Sequence, residues 1–518
     1  MKNRFYIKSI WILAFILFYS CSVNIDKNSK TKEYASIYPD YTDIQIPPNI
    51  APMNFSIEED AKKFYVKFYS ENGPAIKIKT DDPSIIIPMK KWKKLLKKNK
   101  GGKLLIDIAV KNNDNKWIGY KTITNTISEY DVDPYLVYRK INAAFVFWDE
   151  MSIEQRNIEN YDEKYILQNN LTEKNCMNCH SFQQNNPENM ILHTRGVPGG
   201  TLLYHNNKLS VLNTKTDYTL SSFVYPAWHP SKDFIAFSAN QVAQVFNVSG
   251  RDQHHVFDKA SDIVIYDIKN NSVFTSPGIA TKSYENLPIW SPKGDYLYFI
   301  SYTPLDVPAH DNAVKYDLLG ISFNPETKEF GEVDTLIKAS EAGKSISFPT
   351  PSPDGKYLLF CMADFGYFIV GSISTDLYLM DLETREYKKL NINSEYTESY
   401  HAWSKNGKWI MFTSKRDDAL ISLPYFSAFD GKGNFSKPFV LPQKHPDCYK
   451  TYNWNYNRPE LVAGPVKVSQ KEILNALYSP NRLNVTFDTT LVDVDAISGA
   501  TKTAEADTSS LGQDYMKN

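Results

Sequence analysis

Two cysteines and a histidine carry the sharpest chemical signal in the chain. Cys176-Met177-Asn178-Cys179-His180 reads C-x-x-C-H, the attachment pattern of a c-type haem. Each thiol can form a thioether to a porphyrin vinyl group, and the adjacent imidazole can take an axial position on the iron. The cysteine pair alone also fits a redox dithiol or half of a zinc site. The histidine beside it favours one covalent haem c. A six-coordinate iron needs a second axial ligand. His193, thirteen positions after His180, is the first candidate, and Met190 and His205 are alternatives. Met177 lies inside the attachment loop, on the proximal side. A His193 ligand implies a lower potential than a Met190 thioether. Arg195, Arg139 and Arg156 are candidates to face haem propionates.

Covalent attachment of this kind takes place outside the cytoplasm, and the first residues supply an export signal. Lys2, Arg4 and Lys8 precede an unbroken apolar run from Ile10 to Phe18, as in a signal peptide. The run is about half the length of a transmembrane helix. Tyr19-Ser20-Cys21 follows. Cys21 resembles the lipidated cysteine of a bacterial lipobox, with Phe18 where leucine is commonest. That resemblance implies a lipid on Cys21, a membrane as partner, and a polar tether leading away from it.

The chain has 518 residues, a formal net charge of -1 and 14% aromatic residues. The charge balance argues against a nucleic-acid partner. The length suggests two or three domains, and the aromatic content favours β structure. Of five cysteines, Cys361 and Cys448 remain unassigned. They are a disulfide or two thiols, and Cys361, directly after Tyr357-Leu358-Leu359-Phe360, reads as a buried core thiol.

Positioning elements follow from periodicity. The proline-rich stretch 38–52 excludes a helix. Short alternating runs at 64–69, 75–79, 104–109 and 117–122 predict a β-sandwich-like domain. Residues 89–100 predict a lysine-rich helix with Met89, Trp92, Leu95 and Leu96 on one face. The lysines either sit in water or face anionic lipid or a redox partner. Ser152 and Gln155 suggest a capping box for a helix running to Ile166, and Thr172 a cap for a short helix leading into the C-x-x-C-H.

From about residue 200 the chain repeats. Pro226 to Phe237, Trp290 to Phe299, Pro351 to Phe360 and Trp403 to Phe412 align as a turn followed by an apolar strand. Their aligned starts, 228, 290, 351 and 403, lie 52 to 62 residues apart, a period that points to a β-propeller. The W-S-P-D-G-K-Y-like signature resembles the TolB-like, WD40-like propeller repeats of periplasmic proteins. The whole layout resembles Bacteroidetes-type lipoproteins that join a C-x-x-C-H segment to such repeats. No proline interrupts 469–478, a candidate short helix, and a polar tail closes the chain.

The expected organisation is therefore a signal peptide (1–20), a tether (21–37), a β-sandwich-like domain (38–128), a short helical haem-binding segment (129–199), a five- or six-bladed TolB-like propeller (200–480) and a tail (481–518). The resemblance implies a monohaem c-type cytochrome lipoprotein of the outer membrane, on its periplasmic side or at the cell surface. It would perform one-electron transfer, with the propeller docking a protein partner there. Two alternatives stay open: a non-catalytic assembly module with a structural haem, and a peroxidase-like haem enzyme.

Overall fold

The computed structural model describes residues 30–143, 150–246, 254–304 and 311–497. The signal segment, Cys21 and the residues after 497 lie outside the described residues. The chain is mainly β, and its strands form eight separate sheets. None of these sheets closes on itself into a barrel or a propeller, so the β-sandwich and five- or six-bladed propeller architecture is corrected. The resemblance to TolB-like propeller lipoproteins is withdrawn with it. The physical reason lies in what the repeat encodes. Each signature specifies one tight hairpin, and a hairpin does not dictate how sheets are arranged around it.

The hairpins themselves form where the repeats place them. Phe223–Trp228 turns into Phe234–Phe246, Tyr284–Trp290 into Tyr296–Tyr302, Ser345–Pro351 into Tyr357–Ala363, and Glu398–Trp403 into Trp409–Ser414. One backbone bond recurs at all four turns: the N–H groups of His229, Ser291, Ser352 and Ser404 donate to the carbonyls of Phe234, Tyr296, Tyr357 and Trp409, at 2.8 to 2.9 Å. Gly294, Gly355 and Gly407 hold the turns with φ of +79°, +70° and +65°, a region that glycine enters without steric cost.

Towards the N-terminus, a six-stranded sheet is built around Lys63–Tyr69 and Lys103–Lys111. Helix α1 (Met89–Lys98) buries Trp92, Leu95 and Leu96, as the helical spacing predicts. The Trp92 indole N–H also donates to the Ile50 carbonyl at 3.0 Å. The helix expected from Ser152 to Ile166 is replaced by two strands, Met151–Asn157 and Glu163–Gln168. The Ser152 hydroxyl donates to Glu154 Oε1 at 2.6 Å instead of capping a helix. The C-x-x-C-H segment is also extended, in the strand Met177–Phe182, not helical.

Two long-range features complete the fold. Tyr135–Asn142 pairs antiparallel with Trp454–Val462, more than 300 residues downstream. After helix α2 (Gln470–Tyr478), which starts on a reciprocal Ser469–Glu472 capping box, the chain straps two sheets. Leu483–Asn484 adds in parallel to Lys208–Asn213, and Thr486–Phe487 adds in parallel to Ser272–Phe274. Among the described residues no helix is long and apolar enough to cross a membrane.

Candidate functional site

The hairpin repeats share a second feature, and it builds a site. In each leading strand the ladder slips by a bulge: between Val224 and Ala227, Asn286 and Ile289, Ser347 and Thr350, and Ser399 and Ala402. Trp454–Val462 bulges likewise opposite Tyr138. The first residue of each bulge is left-handed: Tyr225 (φ +51°), Leu287 (+50°), Phe348 (+50°), Tyr400 (+41°) and Arg458 (+44°). Large side chains rarely adopt this conformation, and such outliers concentrate at functional sites. Proline follows in four of the five, as Pro226, Pro288, Pro349 and Pro459. It has no N–H to leave unpaired where the ladder is broken.

All five residues line one cavity of about 240 Å³. Trp228, Trp290 and Trp403 add aromatic wall, and Arg458 and Glu460 are its only acidic or basic lining residues apart from His401. The Arg458 guanidinium lies 5.8 Å from the centre of the Tyr225 ring, within cation–π range. Its Nη1 is buried and makes no hydrogen bond. Glu460 Oε1 is 4.0 Å from Arg458 Nε, and Glu460 Oε2 accepts the Phe182 N–H at 3.2 Å. Desolvation pushes the Glu460 carboxyl up to about 7, against the pull of Arg458. The cavity therefore offers a cation with a spare donor, a carboxyl of tunable charge, and flat apolar walls.

The C-x-x-C-H segment meets this pattern in its backbone. Its strand slips between Asn178 and Ser181, so Cys179 and His180 occupy the bulge that Tyr400 and His401 occupy elsewhere. The two histidines differ in their surroundings. His401 Nε2 is 3.1 Å from the Leu359 carbonyl, and its Nδ1 is 3.5 Å from Cys361 Sγ. His180 is buried, and neither of its ring nitrogens has a hydrogen-bond partner. The backbone of Val137 and Arg458 lies beside it without hydrogen-bond geometry. Desolvation, with the nearby Arg458 cation, lowers its pKa to about 3, so the ring is neutral.

The other sequence candidates are spread around this strand. Cys176 is half-buried and its carbonyl accepts the Arg195 N–H at 2.9 Å. Asn178 faces His193 across the ladder, and His193 Nδ1 is 3.0 Å from Thr201 Oγ1. Burial, helped by Arg195, lowers the His193 pKa to about 3. Met177 and Met190 are core residues. His205 is engaged by Asn189 at 3.0 Å and Asp233 at 3.3 Å. Arg139 donates to the Met177 carbonyl at 3.2 Å. Arg156 is buried against Glu163 at 2.9 Å and the Pro442 carbonyl at 2.8 Å. Cys361 and Cys448 are free thiols.

Among the described residues no group of three or more His, Cys, Asp or Glu side chains could hold a metal ion. With no propeller to dock a partner, the expected cytochrome function and the alternatives tied to it are corrected. The cavity itself was missed from sequence. Its signal was present as a bulky residue, then Pro or His, two positions before each Trp or Pro that opens a repeat.

No known protein family and no curated protein matches the chain. Solved structures give low-identity likenesses only. The Dos1 propeller is 13% identical with a TM-score of 0.28, over 44% of this chain and 64% of that one. A nidogen/laminin complex is 10% identical with a TM-score of 0.34, over 64% of this chain and 99% of that one. A puromycin-hydrolysing peptidase of Mycobacterium tuberculosis is 11% identical with a TM-score of 0.33, over 66% and 52%.

Proposed function

We propose that the protein binds a small ligand in the bulge-lined cavity, one that joins an anionic group to a flat apolar portion. The supporting observation is Arg458: a cation in the cavity wall, with a buried Nη1 that has no partner. A ligand carboxylate would supply the missing acceptor as a charge-assisted hydrogen bond. Tyr225, Phe348 and Tyr400 would pack on the apolar part. The cavity volume, about 240 Å³, suits a compact molecule. Binding, not turnover, is the proposed role, in an exported protein held at the outer membrane by lipid on Cys21. Calorimetric titration with aromatic carboxylates and their neutral amides tests the binding role. The acids are expected to bind and the amides to bind at least about tenfold more weakly. Equal binding of both, or an Arg458→Gln variant that binds as well as the parent, overturns it.

His180 favours a second, compatible reading about the cofactor. A buried imidazole with two unpartnered nitrogens has the donor chemistry of an iron ligand, and Cys176, four positions before it in the chain, is a free thiol. Cys176 and Cys179 would hold one covalent haem c, with His180 on the iron and His193 or Met190 as second-ligand candidates. Haem bound there would supply redox chemistry, with Cys176, Cys179 and His180 as the residues that would hold it. Mass measurement of chain made with haem-maturation proteins decides the point. An unmodified mass equal to that of a Cys176→Ser, Cys179→Ser variant overturns it.

A further inference from the structure

Helix α1 presents a surface that the cavity reading does not use. Six of its ten residues are lysine: Lys90, Lys91, Lys93, Lys94, Lys97 and Lys98. Of its four other residues, Trp92, Leu95 and Leu96 are buried and Met89 is partly buried, so the lysines form the outer face. None of the six makes a salt bridge among the described residues, while the neighbouring Lys100 pairs with Asp131 at 2.8 Å. The first turn holds no acidic residue and the N-terminus has no side-chain cap. Lys90 and Lys91 therefore sit at the positive end of the helix macrodipole, where cations are unfavourable. Lys90 and Lys91 thus oppose the dipole, whereas Lys97 and Lys98 in the last turn complement it. The exposed Ile86, 48% accessible, lies just before the helix.

We propose that α1 lays its lysine face on an anionic phospholipid surface, with Ile86 entering the interface beside it. The chemistry is charge complementarity: clustered lysines near a negatively charged bilayer gain attraction charge by charge, and the attraction fades with salt. An apolar side chain at the rim adds burial in the headgroup region. The buried Trp92, Leu95 and Leu96 hold the helix parallel to the domain surface, so several lysines can reach one plane together. This surface acts independently of any lipid on Cys21.

Vesicle co-sedimentation tests it, using the chain from residue 21 onward with Cys21→Ser, so that no lipid anchor contributes. The chain is expected to sediment with vesicles containing phosphatidylglycerol, to stay in solution with phosphatidylcholine alone, and to be released by high salt. The variant Lys90→Gln, Lys94→Gln, Lys97→Gln keeps helix propensity and should partition at least about tenfold less. A control that neutralises exposed Lys208, Lys215 and Lys293 should partition like the parent. Absence of sedimentation, equal sedimentation with both lipids, or equal loss in both variants overturns the proposal. Circular dichroism of the α1 variant separates lost binding from lost folding.

Discussion

The Trp290 indole N–H donates to the backbone carbonyl of Ala227 at 3.1 Å, from one sheet to the leading strand of the sheet before it. The same bond recurs from Trp228 to Ser181 at 3.3 Å and from Trp403 to Thr350 at 3.2 Å. The tryptophan of the repeat thus joins neighbouring sheets, and the repeat with Pro351 lacks this donor. Trp290→Phe keeps most of the packing and removes the bond. It should cost about 1 to 3 kcal/mol, read as a lower urea midpoint with an unchanged slope.

Tyr225 holds φ +51° at the first bulge. Asparagine tolerates this region and a β-branched residue does not. Tyr225→Val should therefore be less stable than Tyr225→Asn, by about 1 kcal/mol or more, although valine is the more apolar. Paired urea melts give the order, and both variants should lose ligand affinity.

Gly294 and Gly355 occupy equivalent turns but face different neighbours. A Cβ on Gly294 would fall on the His229 ring, whereas on Gly355 it would rest in contact with Pro292 at 3.8 Å. Gly294→Ala should unfold at clearly lower temperature than Gly355→Ala. The second substitution carries only the cost of a positive φ, about 1 kcal/mol.

His229 and His401 make stability depend on pH. His229 Nδ1 accepts the N–H groups of Ser231 and Lys232 at 3.2 and 3.0 Å, and its Nε2 lies 3.0 Å from the Gly294 carbonyl. Burial lowers both histidine pKa values from 6.5 to about 4. The unfolded chain then binds protons more readily than the folded one. The contribution is fully present above pH 6.5 and is lost as pH falls from there through about 4. Urea midpoints should drop across that window, and drop less in His229→Gln.

His180 and His401 occupy corresponding bulges with opposite hydrogen-bonding. In the haem-free chain, His180→Leu should be neutral or stabilising, because it removes two unpartnered buried nitrogens. His401→Leu should destabilise by about 1 to 3 kcal/mol, because it leaves the Leu359 carbonyl without its ring partner. Thermal melts of the two variants compare them directly.

Local elements were legible in the sequence to the extent that they depend on neighbours along the chain. Trp92, Leu95 and Leu96 marked the buried face of α1, and the proline-free run 469–478 marked α2, whose Ser469–Glu472 capping box came to light only in the structure. The four repeats marked four hairpins. Ser152 with Gln155 misled, because the pattern of a capping box is also compatible with a strand paired on both sides. The cavity depended on how five bulges from distant segments meet, and no local period encodes that meeting. Likewise, Cys176 to His180 announced their chemistry, but their extended backbone came from pairing with Met190–Thr194.

The partnership between Tyr135–Asn142 and Trp454–Val462 also sets a timetable. During synthesis or export the earlier strand emerges long before its mate, and its edge, which pairs on either side of the bulge opposite Tyr138, stays open meanwhile. Such distant pairings fold slowly and leave edges exposed to other chains. The nascent protein therefore passes through its most aggregation-prone stage until residue 462 is free. A chain cut short before Trp454 remains in that stage permanently.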